Sequence, residues 1–198
     1  MVETFPGFDV PVAHLYELAN GSFDPQAFRP ACEGFASFDA SSSDDDLWYF
    51  SVNGGPGLIV GLETAPTGNK KSNGCPEYRQ IAVSCAILSI GWWPTFLKLR
   101  HESLDSWEAE RAEFDRLYAE ALTQVIAVLG PPRTQGTDPN DYRHQHAIWR
   151  GKSGLMVLQQ SAYDPQFGLD VNYWVRPWSG PDPQPTSPFI DWLCAGGY

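Results

Sequence analysis

Two histidines spaced two residues apart are the side chains that come nearest to a metal site. His144 and His146 lie in the segment YRHQHAIW, and residues i and i+2 of a β-strand point to one face of the sheet. Two imidazoles on one face are suited to zinc, which needs further ligands from elsewhere in the chain. Asp138 and Asp141 are close in sequence but follow no recognised ligand pattern. We therefore expect structural or surface histidines, with no metal and no cofactor.

Carboxylate pairs offer general acid and base chemistry, but local structure explains the pairs in this chain. The candidates are Glu102 with Asp105, and Asp164 with Asp170. Asp105 suits a helix cap, and Asp164 precedes a proline in a turn. The chain also lacks the nucleophile elbow G-x-S-x-G, the zinc motif H-E-x-x-H, a Walker loop and a dinucleotide fingerprint. The sequence therefore assigns no catalytic residue and favours a protein that is not an enzyme.

The best-defined element that could position a site is a long amphipathic helix, predicted at about residues 106–129. Apolar residues recur at helical spacing from Trp107 to Leu129, while charged residues occupy the other face. Asp105 is the predicted cap, and the segment GPP at 130–132 ends the helix. The apolar stripe must pack against something apolar, and the neighbouring strands are the obvious surface.

Strands are predicted on both sides of this helix. A hairpin has arms at 47–52 and 58–62, and YRQIAVSCAILSIG and TFLKLRH follow as further strands, with Cys85 expected to be buried. HAIWR, GLMVLQQ and LDVNYWVR come after the helix. A short helix is predicted at about 12–18, and residues 21–46 are predicted as loop. The fold class is therefore α+β, with one or more antiparallel sheets packed by the long helix.

The 198 residues are enough for a single α+β domain spanning residues 1–198. Each half contains a helix, a hairpin and a strand, and GPGLIVGLE and KSGLMVLQQ share a Gly-apolar-apolar-Val core. A duplicated α-β-β-β unit, with halves at 1–101 and 102–178, is a second interpretation. Residues 179–198 are predicted to form a Pro-rich tether and a terminal helix turn.

The charge of the chain is strongly acidic and uneven. The net charge is −11, and residues 1–60 hold nine acidic residues against one basic residue. Three of the nine are consecutive: Asp44, Asp45 and Asp46. Such a field repels nucleic acid and anionic membranes and speeds association with a basic protein. The first 21 residues lack a secretory signal, no apolar run reaches 18 residues, and the four cysteines are scattered, so we expect a cytoplasmic protein.

A group of polar and aromatic residues around the last two predicted strands is the first choice for a binding face. Its members are Gln160, Tyr163, Gln166, Asn172 and Trp174, predicted to line the sheet face away from the long helix. Aromatic side chains beside amides are typical of protein interfaces. Turn and hairpin chemistry accounts for the same segment without any binding role.

The helix that ends at LGPP, with HAIWRGKSGLMVLQQ and GLDVNYWV after it, resembles the helix and β-meander modules of small cytosolic bacterial immunity proteins of polymorphic toxin systems. The resemblance covers about residues 106–176. It implies an acidic, non-enzymatic protein that blocks the active site of one toxin, and it carries over no catalytic residues.

The leading hypothesis is therefore a protein-binding module whose acidic surface and Tyr- and Trp-rich sheet face hold a basic toxin domain. One alternative is a small-molecule-binding or hydrolytic domain with a pocket between helix and sheet that uses His144 and His146. Another is a structural subunit that forms homo-oligomers.

Overall fold

The computed structural model describes residues 1–4, 10–52, 55, 57–70, 76–95, 102–138, 143–161 and 169–181. Tyr163 and Gln166 lie outside these ranges. So do most of the predicted strand TFLKLRH and the predicted terminal helix turn.

The described strands form one antiparallel sheet made of two meanders. The first meander comprises β2 (Ser37–Asp39), β3 (Leu47–Ser51), β4 (Gly57–Lys70) and β5 (Pro76–Trp93), and the second comprises β6 (Thr134–Thr137), β7 (Gln145–Arg150), β8 (Gly154–Ser161) and β9 (Leu169–Pro177). The last strand of each meander pairs with that of the other, so that the order is β2-β3-β4-β5-β9-β8-β7-β6, and β1 (Glu3–Thr4) adds to β5. GPGLIVGLE and KSGLMVLQQ thus fall on β4 and β8, the third strands of their meanders.

Within the described ranges, three helices cover one face of this sheet, which we call the inner face. They are α1 (Val12–Asn20), α2 (Pro25–Glu33) and α3 (Leu104–Leu129). Apolar side chains of all three join the inner-face residues of the strands in the main hydrophobic core. The predicted α+β class, with a long helix on an antiparallel sheet, is confirmed. None of the described helices is long and apolar enough to span a membrane.

The long helix begins two residues earlier than predicted, at Leu104. The hydroxyl of Ser103 caps it by accepting a hydrogen bond from the backbone N–H of Ser106, so the prediction that Asp105 is the cap is wrong. Asp105 instead lies in the first turn, where its charge suits the positive end of the helix dipole. The buried stripe that fixes α3 on the sheet includes Phe114, Tyr118, Ala121 and Val125.

The prediction of loop throughout residues 21–46 is wrong, because this segment contains α2 and β2. Asp24 caps α2 by accepting a hydrogen bond from the N–H of Gln26 (2.8 Å), and Pro25 is suited to the first helical position. Phe28 and Cys32, one turn apart, are buried in the core. The proline at position 30 and the Ser- and Asp-rich sequence after the helix concealed this pattern.

The turn between β7 and β8 is pressed against the end of α1. A Cβ atom added at Gly151 would lie 2.4 Å from the carbonyl oxygen of Ala19, and Lys152 N donates to Asn20 Oδ1 at 3.0 Å. Because the clash is with backbone, we expect Gly151→Ala to lower the free energy of unfolding by about 2 kcal/mol. Urea unfolding measures this. Lys152→Ala, at an exposed neighbouring position, is the control, and equal stability of both variants would show that the contact is loose.

Candidate functional site

Gln160 lies beneath α3 and not on the face away from it, so its predicted place on an open binding face is wrong. Its Oε1 accepts hydrogen bonds from Gln145 N (3.1 Å) and Arg111 Nη2 (3.3 Å). Its Nε2 donates to Asp115 Oδ1 (2.8 Å) and to the carbonyl of Phe114 (3.4 Å). With 2% of its surface exposed, Gln160 joins α3 to the sheet.

The carboxylate of Asp115 is the centre of this network. Its Oδ1 also accepts from Arg111 Nε (3.0 Å) and Gln145 Nε2 (3.1 Å). Arg111 Nη2 in turn donates to the carbonyl of Arg143 at 2.8 Å. Among the described residues, Arg143 is the one non-glycine residue with positive φ (49°). The contact with Arg111 thus helps to hold a backbone conformation that side chains rarely adopt.

The outer face of the sheet carries an apolar row that crosses four adjacent strands. The register places Tyr49 opposite Ile59, Ile59 opposite Ile87, and Ile87 opposite Trp174. The sequence neighbours of all four residues point into the main core, so these side chains point outward. Ile59 is 37% exposed, and the other three are half-buried. We call these four residues the outer row, which spans about 14 Å.

Cys85 lies beside the outer row. It pairs with Gly61, which pairs with Leu47, and all three are half-buried. The prediction that Cys85 is buried is therefore wrong. The physical reason is a bulge, since the register shifts between Gly61 and Leu62 so that Ser84 is an extra residue in β5. This places a thiol on the outer face.

Asp44, Asp45 and Asp46 form an exposed acidic loop just before Leu47, at the edge of this surface. Two of the carboxylates also hold the loop together. Asp44 Oδ1 accepts from the N–H groups of Asp46 (2.9 Å) and Leu47 (2.7 Å), and Asp46 Oδ1 accepts from the hydroxyl of Thr64 (3.2 Å). The acidic charge is therefore fixed in position next to the apolar surface.

Asn172 lies on the outer face as predicted, but it is buried, with 6% of its surface exposed. It belongs to a polar row in which His146, Gln159, Asn172 and Ser89 are successive cross-strand partners. Ser89 donates to Asp170 Oδ1 at 3.2 Å. His146 is three strands from Ser89, about 14 Å, which is too far for a base to activate a hydroxyl nucleophile. These residues therefore form no catalytic triad.

The two histidines of the H-x-H pair are held in their neutral form. Burial lowers the pKa of His146 from 6.5 to about 4, against the opposing charge of Asp138. Burial, followed by the charge of Arg111, lowers the pKa of His144 to about 4. No group of three His, Cys, Asp or Glu side chains suited to a metal occurs in the described ranges, and Asp141 lies outside them.

The histidines predict how stability depends on pH. Below pH 6.5 the unfolded chain binds protons at both positions, whereas the folded chain does so only near pH 4. Stability is therefore lost as the pH falls through this window, by about 3 kcal/mol in total after allowing for solvent screening at His144. Urea unfolding from pH 7.5 to 4.5 measures the slope. His146→Gln should reduce it, and an unchanged slope would assign the pH dependence to other groups.

Fold and surface together define a two-layer α+β protein with helices on one face of its sheet and an apolar row beside an acidic loop on the other. Comparison with known protein families, with curated proteins and with solved structures finds no match to the chain.

Sequence reasoning missed three members of the outer row, Tyr49, Ile59 and Ile87. The sequence did contain a signal for their outward direction. Each lies between two residues whose side chains would face the core in a half-buried strand. Strand register, which decides that the three meet Trp174, cannot be derived from these apolar segments alone.

Proposed function

We propose that the chain is a non-enzymatic protein-binding module that inhibits a basic toxin domain by covering it, as a cytoplasmic immunity protein does. The observation that supports this proposal is the outer row, an apolar surface partly open to solvent and not covered by the described helices. Isoleucine and aromatic side chains that lose water on binding supply affinity.

The acidic loop supplies the second part of the interface. Its three carboxylates lie at the edge of the apolar surface, and the whole chain carries a charge of −11. A partner with basic residues around an apolar contact is therefore favoured, because opposite charges accelerate encounter and exclude acidic competitors. Inhibition requires only that the bound module blocks access to the active site of the toxin.

Cys85 provides a direct test, because a photoreactive benzophenone maleimide on this thiol will cross-link whatever protein covers the outer face. Cys75→Ser and Cys194→Ser remove two other thiols. Cys32 should not react, because it is buried and burial raises the pKa of its thiol to about 12. The matched control carries Cys85→Ser and Gln124→Cys, which moves the probe to an exposed position on α3.

The labelled protein is mixed with lysate of its own host at low salt and irradiated. We expect one basic protein to be cross-linked from Cys85 but not from position 124, and unlabelled wild-type chain to compete. A second copy of the chain as the cross-linked product would instead support the homo-oligomer hypothesis. No specific product, or the same products from both positions, would refute the proposal.

The charge of the acidic loop can be removed without removing its hydrogen bonds. An Asn side chain keeps the carbonyl oxygen that accepts from Asp46 N, Leu47 N and the Thr64 hydroxyl. We therefore expect the combined change Asp44→Asn, Asp45→Asn and Asp46→Asn to slow association with the partner about tenfold at low salt and to weaken its salt dependence. Stopped-flow or surface plasmon resonance measures both. An unchanged association rate would place the loop outside the interface.

A further inference from the structure

A cleft of about 530 Å³ lies between the first half of α3 and the start of β7, on a different part of the molecule from the outer row. The helix contributes Trp107, Glu108, Arg111, Ala112 and Asp115, and the sheet side contributes Thr137, Arg143 and Gln145. The cleft has the size of small-ligand sites in proteins.

The floor of the cleft is rigid. Arg111, Asp115 and Gln145 are connected by the hydrogen bonds beneath α3, and Gln160 closes the network from below. Groups held in this way are preorganised, so that little conformational entropy is lost when a ligand binds.

Several polar groups at the rim of the cleft take no part in this network and can bind a ligand. Asp115 uses only Oδ1, and within the described part of the chain its Oδ2 makes no hydrogen bond. Over the same residues, the side chains of Glu108 and Arg143 make no ion pair, and the Oε1 of Gln145 accepts no hydrogen bond. Glu108 and Arg143 are exposed, and Asp115 and Gln145 are half-buried.

We propose that this cleft binds an amino acid with a cationic side chain. Its side-chain ammonium or guanidinium group binds the open acceptors of Asp115 and Gln145, and its α-ammonium group binds the carboxylate of Glu108, which lies two helical turns away on α3. The carboxylate of the ligand pairs with the guanidinium of Arg143, and its hydrocarbon chain lies against the indole of Trp107.

The balance of open groups selects this ligand class. Arg111 also lines the cleft, but its guanidinium is already paired with Asp115. The open charged groups are therefore Glu108 and Arg143, with the Oδ2 of Asp115 and the Oε1 of Gln145 as further acceptors. A simple anion would meet Glu108, and a simple cation would meet Arg143. An amino acid with a cationic side chain supplies a carboxylate for Arg143, an α-ammonium group for Glu108 and a second cation for the oxygens of Asp115 and Gln145. Charge-assisted hydrogen bonds of this kind are stronger than neutral ones. The positive φ of Arg143 fits this reading, because strained backbone persists at ligand-binding positions.

Isothermal titration of the full-length chain with L-lysine and L-arginine tests the proposal. Cadaverine lacks the carboxylate of lysine, and norleucine lacks its terminal cation. We expect one-to-one binding of at least one of the two amino acids. Cadaverine and norleucine, which each lack one charged group of lysine, should bind about tenfold more weakly than lysine or not at all.

Two variants locate the binding. Arg143→Asn removes the cation and keeps a residue type that tolerates positive φ, and Glu108→Gln removes one carboxylate. Each should weaken binding about tenfold, whereas Arg116→Asn, on the same helix but outside the cleft, should not. Circular dichroism confirms that each variant folds. No heat with either amino acid up to about 10 mM, well above a millimolar dissociation constant, or equal affinity in all three variants, would overturn the proposal. Neither result bears on the outer row.

Discussion

We expect Gln160→Leu to lower the free energy of unfolding by about 3 kcal/mol, because it leaves several buried or half-buried polar groups without their partner. Gln145 N and Arg111 each lose an acceptor, and Asp115 loses a donor. Urea or thermal unfolding at neutral pH measures the loss, and α3 should be the element that loosens first in hydrogen exchange.

The neighbouring residue provides the matched control. Gln159 is fully buried, and within the residues that the structure describes neither of its amide atoms makes a hydrogen bond. Gln159→Leu therefore removes a desolvated amide that gains nothing from the fold, and stability should be unchanged or higher. Equal losses at positions 159 and 160 would contradict the assignment of the network to Gln160.

Ile59→Asp should weaken binding of the partner about a hundredfold, mainly through faster dissociation. The substitution places a charge in the middle of the outer row, where binding would remove it from water. Because Ile59 is 37% exposed in the chain alone, the fold should lose little stability. Surface plasmon resonance against the protein captured at Cys85 gives both rates.

Two further variants sharpen this test. Ile126→Asp changes an isoleucine of similar exposure (38%) on α3, and it should leave binding unaffected. Trp174→Ala, at the other end of the outer row, should also speed dissociation. If Ile59→Asp and Ile126→Asp bind the partner with the same affinity, the outer face is not the interface.

The difference between the neighbouring strands β9 and β8 shows what the sequence could predict. In β9, apolar and polar residues alternate, so the outward direction of Asn172 and Trp174 followed from the sequence alone. In β8, the run from Leu155 to Leu158 is apolar on both faces, because both faces are buried there. Without alternation the direction of Gln160 could not be derived, and the prediction placed it on the wrong face.

The long helix was predictable because its period extends over many residues, whereas α2 was not. Nine residues with an internal proline give a weak periodic signal. The cap residue Asp24 precedes a proline, and this pair of residues is equally typical of a turn. The charge of the acidic loop could also be derived from the sequence, but the hydrogen bonds of Asp44 and Asp46 were not predicted. The contact of Asp46 depends on the hairpin that brings Thr64 close, whereas those of Asp44 are local turn contacts with the N–H groups of Asp46 and Leu47.

The antiparallel pairing of β5 with β9 has a consequence for when the protein can act. Tyr49, Ile59 and Ile87 come from the first meander, and Trp174 comes from the second. The surface proposed to recognise the partner is therefore complete only after the two meanders have joined, and that step needs nearly the whole chain. A ribosome-bound nascent chain that has emerged only as far as α3 would carry the acidic loop but not the finished row. Under the proposed function, such a chain would attract a basic protein without holding it, and inhibition would begin only when synthesis and folding are almost complete.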